Sequence, residues 1–148
     1  MSAKSRPILL IEDDRICEAL VLRALKKSDF AGEIVVARDA GEAMTHLLPS
    51  GGSPGAPAPP RPCAVFLDLS LPGADGLELL RCIRSDYAIH SLPVVIFSSS
   101  LQDDDIRRAY AEGANSYVLK PVDADELAET VRNLAVYWST LNYLPPRR

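Results

Sequence analysis

A chain of 148 residues, 47% apolar and 24% charged, is sized for one globular domain around one core. Its formal net charge of -4 and pI of about 5.1 leave no basic face for nucleic acid. No apolar run nears the roughly 20 residues of a membrane span, and the basic start is followed by only a short apolar stretch, so neither an anchor nor a signal peptide is expected.

Residues 7–11, PILLI, are a continuous apolar run, which suits a strand buried on both faces. Apolar residues at 16, 17, 20, 21, 24 and 25 then repeat at helical spacing. EIVVA (33–37) reads as a second strand. DAGEAMTHLL (39–48) reads as a short helix, with Asp39 and Glu42 spaced as a capping box. Residues 49–62, PSGGSPGAPAPPRP, have the composition of a flexible surface loop. CAVFLD (63–68) is the third strand. It ends in a carboxylate, Asp68, and the chain breaks soon after at Pro72-Gly73. A helix is expected over about 75–85, a fourth strand over 93–98 and a helix over about 102–112. The fifth strand is SYVLK (116–120). The last helix, 123–141, is opened by Asp123 with Glu126 three residues on. There are no internal repeats.

Five strand-helix units in succession predict an α/β fold: a doubly wound, five-stranded parallel sheet with helices on both faces. Ligands of such sheets sit outside the carboxyl ends of the strands. The first strand ends in Glu12-Asp13-Asp14, the third in Asp68, the fourth in Ser98-Ser99-Ser100 and the fifth in Lys120-Pro121. Crowded carboxylates repel one another and need a cation. Oxygen ligands with room for water suit Mg²⁺. Lysine and Mg²⁺ together would neutralise an incoming phosphoryl group. Cys17, Cys63 and Cys82 have no metal-ligand spacing and read as reduced, mostly buried thiols of a cytoplasmic protein.

The motifs ILLIEDD, VFLDLSLPGADGLELL, LPVVIFSSS and GANSYVLKPV occur in the order of a two-component response regulator receiver domain, and the chain resembles that family over about residues 6–137. The resemblance implies a flavodoxin-like (β/α)5 receiver fold with a C-terminal extension at 138–148, the whole of 1–148 forming a single receiver domain. It implies that Asp68 accepts a phosphoryl group, as nucleophile, from the histidine of a sensor kinase. Glu12 and Asp13 match the family's acidic metal pair. Glu12 departs from the commoner aspartate, and its extra methylene would move its metal contact to a water, leaving Asp13 as the direct ligand. Asp14 would then cap the first helix. Ser70 would offer its backbone carbonyl to the metal. Ser98 matches the hydroxyl that meets a phosphoryl oxygen, Lys120 the lysine that pairs with the phosphoryl group, and Tyr117 the aromatic switch. Lys120-Pro121 matches a bond that is cis in the family.

Each feature alone has a plainer reading. An acidic triplet is usually a solvated strand end, a serine run a loop, a single lysine a surface residue, and Tyr117 a packing tyrosine. The weight lies in their convergence. Two other classes with related chemistry fit less well. An aspartate-nucleophile phosphatase needs a second acid two residues after the nucleophile, where this chain has Ser70. A flavin-binding module wants a Ser/Thr/Gly phosphate loop after the first strand, where this chain has three acids. A receiver-like scaffold that is never phosphorylated is the remaining alternative.

The length leaves no room for an output domain, so the expected function is that of a stand-alone regulator, not an enzyme, whose phosphorylation alters its surface for an unidentified downstream protein. The Pro-rich insertion and the aromatic C-terminal extension resemble the single-domain regulators that partner phytochrome-type kinases. Leu127, Val131, Leu134, Trp138 and Leu141 form an apolar stripe running past the length of a receiver helix. Trp138, Leu141 and Tyr143 are expected to lie beyond the sheet and to form a homodimer contact, together with the face of the fourth helix and fifth strand.

Overall fold

The computed structural model describes residues 6–49, 55, 57 and 59–146. In chain order the elements are β1 (Ile8–Ile11), α1 (Arg15–Lys26), β2 (Ile34–Ala37), α2 (Ala40–Leu47), β3 (Ala64–Leu67), β4 (Ser70–Leu71), β5 (Ala74–Asp75), α3 (Gly76–Ser85), β6 (Val94–Ser98), α4 (Asp103–Ala111), β7 (Ser116–Leu119) and α5 (Ala124–Val136). A π-helical turn, Tyr137–Leu141, continues α5. The main sheet is parallel, in the order β2-β1-β3-β6-β7. This is the doubly wound architecture that the alternating pattern predicts.

Successive residues of a strand face opposite sides, and each side carries its own helices. Leu9, Ile11, Val65, Leu67, Val94 and Ile96 pack with Ala43 and Leu47 of α2 and with Leu80 and Ile83 of α3. Ile8, Leu10, Ala64, Phe66, Val95 and Phe97 pack with Val21, Ala24 and Leu25 of α1 and with Leu127, Val131 and Ala135 of α5. Burying one such large side chain is worth roughly 1.5–3 kcal/mol. The central strands therefore anchor the sheet, and their carboxyl ends inherit its rigidity.

The helix starts follow from their acids. Asp14 accepts hydrogen bonds from the Ile16 and Cys17 amides at 2.9 and 3.3 Å. Asp39 accepts from Glu42 N at 2.8 Å, and Asp123 from Glu126 N at 2.9 Å. Each bond satisfies an amide that the helix itself leaves without a partner.

The structure extends one expectation and corrects others. Pro72-Gly73 does more than end a strand: it turns a two-stranded antiparallel ladder, Ser70–Leu71 against Ala74–Asp75. Gly73 takes φ of +69°, which follows naturally from a Pro-Gly pair in a tight turn. The regular α-helix ends at Val136, and Trp138 is not free of the core. It is half-buried against the α1/α5 layer and meets the Tyr137 ring edge-on at a centroid distance of 4.8 Å. The indole thus packs on this layer although it lies past the end of the regular helix, in the π turn. Leu141 and Tyr143 do remain exposed.

The loop expectation at 49–62 falls partly outside the described residues, but its last part is anchored. Arg61 is buried, and its guanidinium donates to the Pro145 carbonyl at 2.6 Å and to Ser91 Oγ at 3.4 Å. These contacts line a cavity of about 820 Å³ at the amino end of the sheet. Finally, the cysteines are all free, but only Cys63 is fully buried; Cys17 is half-buried and Cys82 exposed. Among the described residues no helix is long and apolar enough to cross a membrane.

Candidate functional site

The parallel register brings several strand ends to one edge. Hydrogen bonding then continues one residue beyond the regular ladders. Glu12 N donates to Ala37 O at 2.9 Å, Asp68 N to Ile11 O at 3.1 Å and Lys120 N to Ser98 O at 2.8 Å. The backbones of Glu12, Asp68 and Lys120 are therefore held in place by the sheet itself.

Their side chains meet. Lys120 Nζ donates to Glu12 Oε1 at 2.5 Å and to Asp68 Oδ2 at 3.1 Å. The Glu12 side chain is only 1% exposed, those of Asp68 and Lys120 12% and 14%. The second Glu12 oxygen accepts from Asp14 N at 3.2 Å, and the second Asp68 oxygen from Ser70 N at 3.2 Å. Asp13 is exposed at the rim. Glu12, Asp13 and Asp68 can each offer an oxygen so that all three lie within 4.8 Å of one another.

The charges do not balance. Burial pushes the Asp68 carboxyl up to about 6, and the neighbouring Glu12 carboxylate adds to this; Lys120 pulls the other way but does not win. Burial also works against the Lys120 charge, yet Glu12 and Asp68 together hold its pKa above the usual lysine value. One lysine thus compensates part of a three-carboxylate cluster. A small divalent cation bound by oxygens fits the remainder, because it would offset the repulsion among the carboxylates and favour the charged form of Asp68. The donor set is all oxygen, and Asp13 and the exposed Ser70 stand at the open side, where water can complete a coordination shell.

Gly76 explains how α3 begins so close to this cluster. A Cβ at residue 76 would lie 2.5 Å from the Asp68 carbonyl oxygen and 2.9 Å from Leu69 Cα, both backbone atoms. Only glycine lets the helix start against the strand end.

Ser98, at the end of β6, is buried, and its Oγ accepts from Ser100 N at 3.1 Å. That uses a lone pair and leaves the hydroxyl hydrogen free to donate elsewhere. Tyr117 lies on β7, half-buried against the α2/α3 layer, and its hydroxyl donates to the Ser100 carbonyl at 2.8 Å. Glu12, Asp13, Asp68 and Lys120 are thus brought together, with Ser98 and Tyr117 on the adjoining strands. Trp138, Leu141 and Tyr143 lie on the C-terminal extension. The expected cis bond at Lys120-Pro121 is corrected: no described peptide bond is cis. An X-Pro bond favours trans by about 0.5–1 kcal/mol, so a proline permits cis without requiring it.

Two features were not read from the sequence. Glu12 holds the lysine directly, a pairing across 108 residues that only the sheet creates. Ser100 hydrogen-bonds through its amide, its carbonyl and its hydroxyl, which nothing in the serine run distinguishes.

Comparison with known proteins agrees with this geometry. A family model described as Response regulator receiver domain matches residues 8–132. The probable methanogenesis regulatory protein FilR2 of Methanothrix harundinacea is 38% identical over 139 residues, covering 93% of this chain and 86% of that protein. Response regulator Rcp1 of Synechocystis sp. is 33% identical over 148 residues, covering 98% of this chain and 99% of Rcp1. The crystal structure of Mn²⁺-bound Rcp1 superposes with a TM-score of 0.82 at 31% identity, over 95% of this chain and 99% of that one. That of the phosphorylated cyanobacterial phytochrome response regulator RcpA gives 0.84 at 34% identity, over the same shares.

Proposed function

The chain belongs to the response regulator receiver family, and from that premise we propose that Asp68 accepts a phosphoryl group from the phosphohistidine of a sensor kinase. The chain is a receiver-domain response regulator homologous to response regulator Rcp1 and to the cyanobacterial phytochrome response regulator RcpA. The observation that carries the proposal is the placement of Lys120 Nζ between Glu12 and Asp68, beside an acidic cluster able to hold a cation.

In the proposed step an Asp68 carboxylate oxygen attacks phosphorus. The P–N bond of the phosphohistidine breaks, and its electron pair stays on the imidazole. The product is an acyl phosphate. Lys120 holds the carboxylate in place and then faces the transferred group. The Ser98 hydroxyl, whose lone pair is already occupied by Ser100 N, donates to a phosphoryl oxygen. Glu12 keeps Lys120 at the site throughout. Glu12, Asp13, Asp68 and the Ser70 carbonyl would hold Mg²⁺, which when bound neutralises charge on the phosphoryl oxygens. That Rcp1 has an Mn²⁺-bound form supports a divalent ion as the partner of this chain's acidic cluster. In this reading the protein assists its own phosphorylation and dephosphorylation and turns over no other substrate.

The likeness to Rcp1 and RcpA supports a kinase of the phytochrome type as partner. We read residues 6–137 as the receiver core and the extension, with Leu141 and Tyr143 exposed, as a homodimer contact. Incubation with acetyl phosphate and Mg²⁺ followed by intact mass tests the phosphoacceptor reading: one phosphoryl adduct on the wild type and none on Asp68→Asn is expected. An adduct that persists in the variant would overturn it.

A further inference from the structure

Among the described residues, α4 buries the fewest side chains of the five α-helices. Among the described residues its one buried side chain is Ala109, whereas α3 buries five residues. Its N-cap, Gln102, makes no side-chain capping bond. An element with little buried apolar contact is one that moves at low cost. A side-chain bond ties its first turn to the preceding loop: Ser100 Oγ donates to Asp105 Oδ2 at 2.5 Å. A carboxylate only accepts, so the serine hydroxyl donates, and its lone pair is left to accept Gln102 N at 3.2 Å. Asp105 sits in the first turn of α4 and reaches back out of the helix to the loop.

Ser100 is therefore tied in three directions by three different groups. Its N–H donates to Ser98 Oγ, its carbonyl accepts from Tyr117, and its hydroxyl donates to Asp105. A displacement of Ser98 toward a phosphoryl group would pull on the Ser100 amide through the 3.1 Å bond between them. The Ser100 carbonyl would carry that pull to Tyr117 and its side chain to α4. The two outlets are chemically separable, since one is backbone and the other is not.

We infer that the Ser100–Asp105 hydrogen bond is the link by which the phosphorylation site controls the position of α4, with Asp105 as its positioning residue. The inference rests on the phosphoacceptor reading of Asp68. It assigns a function to one member of the acidic run Asp103-Asp104-Asp105. Asp104 differs: it is exposed and pairs with Arg107 at 3.0 Å, within its own helix.

The test uses the full chain labelled with fluorotyrosine, with and without acetyl phosphate and Mg²⁺. Intact mass reports the adduct, ¹⁹F NMR reports Tyr117, and amide hydrogen exchange reports residues 103–111. In the wild type all three change. In Asp105→Ala and Ser100→Ala the adduct and the Tyr117 signal change, but the exchange response of α4 is lost. Ser100→Thr, which keeps a hydroxyl, and Asp104→Ala, which removes a neighbouring charge, retain the response. An α4 response of wild-type size in both Asp105→Ala and Ser100→Ala would overturn the link while leaving the Asp68 assignment standing. A wild type that forms no adduct would overturn the phosphoacceptor reading, and the link with it.

Discussion

Lys120 Nζ lies 3.1 Å from Asp68 Oδ2, although 52 residues separate the two in the chain. The backbones of both are fixed by ladder bonds, and the lysine is steadied from the other side by Glu12. The pairing is therefore built into the sheet before any phosphoryl group arrives. Removing the ammonium in Lys120→Ala leaves the acidic cluster intact. That variant is expected to bind Mg²⁺ still, yet to fail to shift Tyr117 on phosphorylation. Metal titration and ¹⁹F NMR would check both halves, and a wild-type Tyr117 response would show that Lys120 is only a counter-ion.

Glu12 is buried, and both of its oxygens are engaged. Truncating it in Glu12→Ala strips the closer partner from a buried ammonium, and breaking such a pair costs about 3–5 kcal/mol. Asp68 stays within reach of Lys120, which places the expected loss near the lower end. Urea denaturation of the metal-free protein measures it; a loss within error of zero would mean the pair is not buried in solution.

The Asp68 carboxyl sits at about 6 in the folded chain against an ordinary value of 3.8. Between those two pH values the folded state holds the proton more tightly than the unfolded state. Stability from this group therefore falls as pH rises from about 4 to 6 in the absence of metal. Metal competes with that proton, so divalent-ion affinity is expected to rise across the same window. Denaturation from pH 4 to 7 compared with Asp68→Asn checks the sign: the variant should lack this contribution. An identical pH slope in both chains would contradict it.

Gly76→Ala places a methyl against the Asp68 carbonyl and Leu69 Cα, neither of which can yield without moving the nucleophile. Overpacking of this kind costs about 1–3 kcal/mol, and misplacing a reacting group by about 1 Å can cost on the order of 100-fold in rate. A phosphorylation rate reduced at least about tenfold is expected, measured by mass at fixed acetyl phosphate. A rate equal to wild type would show that the strand end tolerates the shift.

Much of this was legible in the chain because strand ends in a parallel sheet fall at one edge whatever the loops do. Asp68, Lys120 and the Glu12-Asp13 pair could be placed there from the apolar runs alone. Caps at Asp14, Asp39 and Asp123 were legible because the bonds they make are local. What stayed hidden depends on distant partners. Arg61 looks like part of a loose Pro-rich loop until Pro145 and Ser91 are folded against it. Arg84 looks like a surface residue on α3, yet it donates to the carbonyls of His90, Leu92 and Gly113 and to Asn115 Oδ1. The Ser100–Asp105 bond falls inside a serine run and an acidic run, neither of which distinguishes its members.

Leu141 and Tyr143 are exposed on the extension, whereas Trp138 is spent on the core. The dimer is therefore best tested without disturbing the indole. Wild type is expected to sediment as a dimer at tens of micromolar, about where a modest interface of roughly -6 kcal/mol begins to show, and Leu141→Ser/Tyr143→Ser as a monomer. A monomeric wild type would sink the dimer reading.

The most direct measurement is phosphorylation of the full chain by acetyl phosphate, followed by intact mass and peptide mapping, with Mg²⁺ and with excess chelator. One adduct, mapped to Asp68, dependent on Mg²⁺ and absent from Asp68→Asn, is the expected result. An adduct of equal yield in chelator, or one mapped to any other residue, would contradict the assignment of the site.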